Sequence, residues 1–161
     1  MEGIIRKMKT RITAPSLSID LPDGWVLEEN VDTWAIAVPE HYPEELAVSF
    51  LPNVSIQVIR VESDVSIEDL TAETLDELQN LYTEVVVRGL HFGEGIVDRS
   101  LSFIVDEIPM FQYQRNMLLL SFTNEVHWFA QIHATAPLDQ EEHLKDAFRH
   151  MLATTEITPG S

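Results

Sequence analysis

The stretch Val126-His127-Trp128-Phe129-Ala130-Gln131-Ile132-His133-Ala134-Thr135 puts Val126, Trp128, Ala130, Ile132 and Ala134 on one side of an extended chain and His127, Phe129, Gln131, His133 and Thr135 on the other. Strand side chains alternate between faces, so a period of two sustained over this length marks a β-strand. Both of its faces carry apolar residues. A strand of that kind belongs inside a sheet that is covered on two sides.

Outward from this strand, Pro109 to Phe122 and Ile96 to Val105 are β-rich, and Thr123-Asn124-Glu125 offers a hairpin connection into Val126. Further upstream, Ser16 to Leu21 alternates and runs into the turn chemistry of Pro22-Asp23-Gly24. Trp25 to Glu29 and Trp34 to Val38 continue the pattern until Pro39, His41 to Glu45 read as loop, and Leu46 to Leu51 and Val54 to Val61 flank Pro52-Asn53 as two more strands.

Two segments change period. Ile67, Leu70, Thr74, Leu78, Leu81 and Val85 recur at three and four, with Leu75 and Tyr82 broadening the stripe of an amphipathic helix. Ser66 caps its start, with Asp69 three residues on and Val65 placed to staple against Leu70, while Arg88-Gly89 fits its end. A second helix runs from about Asp139 to about Thr154, with Leu144, Ala147, Phe148, Met151 and Leu152 on its apolar stripe and Asp139 to Glu142 as its capping pair. The order is β-meander, helix, β-meander, helix, an α+β fold in which an antiparallel β-sheet is flanked by helices. No linker divides the chain. One domain is expected over residues 14–157, after a basic, flexible head at 1–13 and before a tail at 158–161.

Charge is unevenly spread over the 161 residues. Four of the ten Lys and Arg precede Ile12, together with only one of the 27 Asp and Glu, which leaves six against 26 beyond it and a net −20. Such a field repels nucleic acid and anionic membranes and suits a basic partner. Cysteine is absent, which removes disulfides, thiolate metal sites and thiol nucleophiles together. The basic head is followed by Ala14-Pro15-Ser16 and not by an apolar run, so no signal peptide is read, and no stretch reaches the ~20 apolar residues of a membrane span. A cytoplasmic protein is expected.

Local signatures of chemistry fail on spacing. His127 and His133 share a strand face but stand about 20 Å apart, and His143 and His150 are two helical turns, about 10 Å, apart with no third ligand. Gly93-Glu94-Gly95 lacks the third glycine and the Lys-Ser/Thr of a phosphate loop and reads as a turn. Glu28-Glu29, Glu44-Glu45, Glu68-Asp69 and Glu141-Glu142 suit caps and solvation, not acid-base pairs. No catalytic residue, metal site or cofactor is therefore assigned.

Aromatic residues Trp34, Phe111, Tyr113, Trp128 and Phe129 all fall on expected strands, where core packing is their ordinary role. Phe111 and Tyr113 lie on a strand interrupted by Gln112, Gln114 and Arg115. The alternative is that Phe111, Tyr113, Arg115 and Phe129 line a groove for an apolar segment of a partner.

Certain of these residues carry a family resemblance. Ile19-Asp20-Leu21-Pro22-Asp23-Gly24-Trp25, then Pro52-Asn53-Val54 leading a strand, the capped helix at Ser66 and Phe129 to Pro137 before the final helix resemble the PsbP-like superfamily, and within it the LpqN-type actinobacterial proteins. The likeness spans Leu17 to Ile157. It implies an α/β/α sandwich in a superfamily that includes a photosystem subunit, a Ran-binding nuclear import factor and the Eag-type secretion chaperones. LpqN-type members are commonly lipoproteins, whereas this chain shows neither a signal sequence nor a lipid-accepting cysteine. The implied function is a non-enzymatic adaptor or chaperone for a protein partner that is basic or carries an apolar segment, with a homodimer left open. The alternative is a small-molecule-binding domain or cryptic enzyme with a pocket between sheet and helix.

Overall fold

The computed structural model describes residues 16–29, 35–40, 51–120 and 127–158. The basic head, Trp34, the loop from His41 to Glu45, the strand expected from Leu46 as far as Phe50, the hairpin residues Thr123-Asn124-Glu125 and Val126 lie outside them.

Among the described residues the order is β1 (Ser16–Ser18), β2 (Trp25–Glu29), β3 (Ala35–Pro39), β4 (Asn53–Val61), α1 (Ile67–Leu81), β5 (Thr83–Gly93), β6 (Ile96–Val105), β7 (Ile108–Leu120), β8 (His127–Pro137), a 3-10 turn (Leu138–Gln140), α2 (Glu141–Thr154) and β9 (Glu156–Thr158). The fold is α+β. Seven strands make one antiparallel sheet in the order β2-β3-β4-β8-β7-β6-β5, and β1 pairs with β9 in a separate ribbon. No helix among the described residues is long and apolar enough to cross a membrane.

Strand β8 occupies the middle of the sheet, and its two faces meet different layers. Ala130, Ile132, Ala134 and Ala136 join Phe111, Tyr113 and Met117 of β7 and Val54 and Ile56 of β4 against Leu144, Phe148, Met151 and Leu152 of α2. The alternate residue Phe129 packs with Val97, Ile67 and Leu70, so α1 covers the opposite face. Small alanines on β8 let α2 approach closely, and Phe148 fills the space above them. Its ring is fully buried and contacts Phe111 at 5.5 Å, Trp25 at 6.1 Å and Tyr113 at 6.3 Å between centroids.

The start of α1 forms as its sequence implies: Ser66 Oγ accepts the Asp69 N–H at 3.1 Å, and Val65 packs beside Leu70. Its end does not. Periodicity carried the helix to Arg88-Gly89, but α1 stops at Leu81, Tyr82 is extended with its N–H bonded to the Leu78 carbonyl at 2.9 Å, and Glu84 turns through a φ of 51° into β5. Thr83, Val85, Val86 and Val87 are β-branched and lose less freedom in a strand, where β6 also satisfies their backbone. The stripe looked continuous because Leu78, Tyr82 and Val85 do pack on one cluster around Leu101, Phe103 and Met110, though from a helix, its cap and a strand in turn. Arg88-Gly89 instead marks an irregularity in β5, where the register shifts between Val87 and Gly89. Gly93-Glu94-Gly95 makes the β5–β6 turn, with Gly95 at a φ of 69°.

Helix α2 also differs at its start. The α-helical turn begins at Glu141, and Gln140 in the capping position makes no side-chain capping bond. Glu141 is directed elsewhere, as described below.

Phe148→Ala should destabilise the fold by about 3–5 kcal/mol in denaturant unfolding, because it empties the contact that seats α2. Ser66→Ala should cost about 1 kcal/mol in the same measurement.

Candidate binding groove

Polar chemistry divides between the two faces of the sheet. On the α1 face it is internal. Arg99 of β6 is 5% exposed; its Nε donates to Gln114 Oε1 at 2.7 Å, Nη1 to the Thr71 carbonyl at 2.9 Å and Nη2 to Thr74 Oγ1 at 3.1 Å. Gln114 Nε2 donates to Gln112 Oε1, and Gln112 Nε2 to Thr135 Oγ1 at 2.8 Å, so the chain of bonds runs from α1 through β6 and β7 to β8. These groups are satisfied by one another, and burial lowers the Arg99 pKa. His133 lies opposite Gln114 on the neighbouring strand, its Nε2 enclosed. Burial first, and then the Arg99 charge, push its imidazole down to about 3.

On the α2 face the polar groups border open space. A groove of about 360 Å3 lies between β5, β6, β7 and the C-terminal half of α2, lined among others by Gly89, His91, Asp98, Ser100, Tyr113, Arg115, Arg149, Leu152 and Ala153. The register explains the convergence: Ser100 stands between Gly89 and Tyr113, and Asp98 between His91 and Arg115, all on one face. A Cβ at Gly89 would meet Ser100 Oγ at 2.9 Å, so a larger residue there would make the Ser100 hydroxyl turn away.

Arg115 grips Asp98 with both arms, Nε to Oδ1 at 2.8 Å and Nη2 to Oδ2 at 2.9 Å. Tyr113 donates its hydroxyl to Glu141 Oε2 at 2.7 Å, and Arg88 donates to Glu141 Oε1 at 2.9 Å. Burial, then the hydrogen bond to Glu141 and its negative charge, push the Tyr113 hydroxyl up to about 12. Burial alone would raise the Glu141 carboxyl, but the bonds from Arg88 and Tyr113, and then the charges of Arg88 and Arg149, outweigh it and hold it below its ordinary value. Arg149 stands over the Tyr113 ring at 5.3 Å. Such a wall can hold a ligand by charge and hydrogen bonding. Its phenol stays protonated at neutral pH, and its carboxylates are bound to arginines.

The structure brings Tyr113 and Arg115 together in this wall. Phe111 shares their face but is fully buried under Phe148, and Phe129 is buried on the opposite face beneath α1. Sequence reasoning missed His91, Asp98 and Arg149. One signal was available, because so acidic a chain has only six Lys and Arg beyond its head, and Arg149 borders the apolar stripe of its helix. Among the described residues no three potential metal ligands cluster.

No family model matches the chain, and no curated protein matches it. Solved structures do. LpqN of Mycobacterium tuberculosis, described as involved in cell envelope biogenesis, superposes with a TM-score of 0.70 at 19% identity, over 91% of this chain and 86% of that one. The cyanobacterial PsbP (CyanoP) of Synechocystis sp. PCC 6803 gives 0.54 at 11% identity over 91% and 94%. The fold is PsbP-like. The Ran-binding protein Mog1p of Saccharomyces cerevisiae shares it too, with a TM-score of 0.56 at 11% identity over 91% of this chain and 96% of that one.

Unfolded histidine takes up its proton near 6.5, whereas His133 in the fold stays neutral down to about 3. Between those values the unfolded state binds more protons, so this group makes stability rise with pH through that window and contributes no further change above it. Relative to His133→Gln, the wild type should lose up to about 1.4 kcal/mol per pH unit on acidification between about pH 6 and about pH 4. Parallel stability curves for the two proteins would show that His133 is not buried neutral.

Proposed function

We propose that this chain is a non-enzymatic accessory protein that binds an extended segment of a protein partner in the groove between the sheet and α2. The observation that carries the reading is the groove wall, where Tyr113, Arg115 and Arg149 offer hydrogen bonds and charge while Leu152 and Ala153 offer apolar surface. Mog1p, which shares the fold, is a Ran-binding protein, and LpqN belongs to envelope biogenesis. Those likenesses support the fold and lend only analogy to the function. In this reading the binding unit is a single α/β/α sandwich over residues 14–157, and Tyr113 and Arg115 remain its partner-binding residues. A cytoplasmic setting accords with the absence of cysteine.

A second reading, a small-molecule-binding domain, is favoured by the same groove. Its volume falls within the roughly 300–1,000 Å3 usual for ligand pockets.

Ala153 is exposed on α2, so Ala153→Trp fills the groove without entering the core. Affinity purification from the native host should recover a protein with the wild type and at least about tenfold less of it with this variant. Equal recovery, or no reproducible protein, would sink the partner reading. A small molecule seen by native mass spectrometry on the wild type and absent from the variant would establish the second.

A further inference from the structure

Beyond its head this chain carries six Lys and Arg: Arg60, Arg88, Arg99, Arg115, Lys145 and Arg149. Three of them, Arg88, Arg115 and Arg149, surround the groove or its Glu141 wall, against the two carboxylates Asp98 and Glu141. A protein with a net charge of −17 thus presents one net positive charge at this place.

Arg88 and Arg115 already hold Glu141 and Asp98. Arg149 does not: it is exposed, and among the described residues no carboxylate lies within ion-pair distance of it. Its cation–π contact with Tyr113, 5.3 Å from the ring centroid, occupies no carboxylate, and a guanidinium fork can meet a carboxylate with two parallel bonds. Exposed His91 lies on the same face of the sheet, and Gly89, with no side chain, leaves the rim open towards the outer edge of β5.

We infer that the groove is a receptor for a single carboxylate, the side chain of an Asp or Glu in the partner's extended segment, and that Arg149 is the residue that grips it. This inference rests on the protein-partner reading and adds the chemistry by which the partner is recognised. One net positive charge matches a monoanion. A phosphate dianion would face Asp98, Glu141 and the acidic body with too little positive charge to offset them. The partner enters from the side of β5, the edge strand of the sheet among the described residues, and lays its acidic side chain over β6 and β7 towards Arg149.

Binding of the full chain to pools of blocked heptapeptides, with a central Glu in an Ala, Leu and Ser background, tests this by fluorescence anisotropy. The central-Glu pool should bind, a central-Gln pool should bind at least about tenfold more weakly, and Arg149→Gln should abolish that preference. Arg149 is exposed, and an unchanged unfolding curve checks that this variant is folded. Equal binding of the Glu and Gln pools, a preference that survives in Arg149→Gln, or no binding by either pool would overturn the inference. Tighter binding of a phosphoserine pool would overturn the carboxylate assignment, and acetate binding as well as the peptides would overturn the peptide source. If the partner recovered by the wild type is recovered equally by Arg149→Gln but lost with Ala153→Trp, the carboxylate receptor fails while the partner reading stands. Selective peptide binding without any recovered partner supports the carboxylate receptor and counts against the partner reading.

Discussion

The seat of Phe148 governs the α2 face. Its ring sits over the alanines of β8 and against Phe111, Tyr113 and Trp25, drawing residues from β2, β7, β8 and α2 into one contact. Once that ring is placed, helical geometry sets the rest: Glu141 reaches Tyr113 and Arg88, Arg149 covers the Tyr113 ring, and Leu152 and Ala153 border the groove. The β1–β9 ribbon closes the far end, pairing Leu17 with Ile157, while Asp20 bonds both Thr154 and His150. The groove exists because α2 is held rigidly at one distance from β5 to β7.

Opposite it, the α1 face solves another problem. Arg99 is a buried cation whose charge is met by neutral dipoles on α1 and β7, and the Gln114, Gln112 and Thr135 ladder extends that network across three strands. A hydrogen-bonded network of this kind favours one register over its slips, since a shift by one residue would bring Arg99 to the other face and leave its partners without donors. This layer is internal and serves cohesion. The polar groups of the α2 face border open space.

The same contrast accounts for the electrostatics. Acidic residues spread over an otherwise repulsive surface keep like-charged molecules apart. Arg88, Arg115 and Arg149 come from three elements and are held by Glu141, Asp98 and the Tyr113 ring, so a positive spot survives within a negative field. Contrast of this sort is the physical basis of selectivity wherever a small site binds a charged group.

By itself the sequence determined the α+β class, β8 at the heart of a sheet, the Ser66 cap, the Gly93-Gly95 turn and the acidity of the body. Each depends on local chemistry: a period of two, a side-chain oxygen placed for a free amide, a glycine where φ is positive, a count of charges. The end of α1 was not legible, because Leu78, Tyr82 and Val85 pack on one cluster whether or not the helix continues, and only pairing with β6 turns Thr83–Gly93 into a strand. Tyr113 and Arg115 could be singled out on one strand; their separation from buried Phe111 and Phe129 depended on which faces the helices cover. His91, Asp98 and Arg149 lie as much as 58 positions apart and meet only because hairpin register sets two of them side by side and the packing of Phe148 brings the third above them. Tertiary structure alone decided the site, since a groove is made by the distance between layers, which no local pattern encodes.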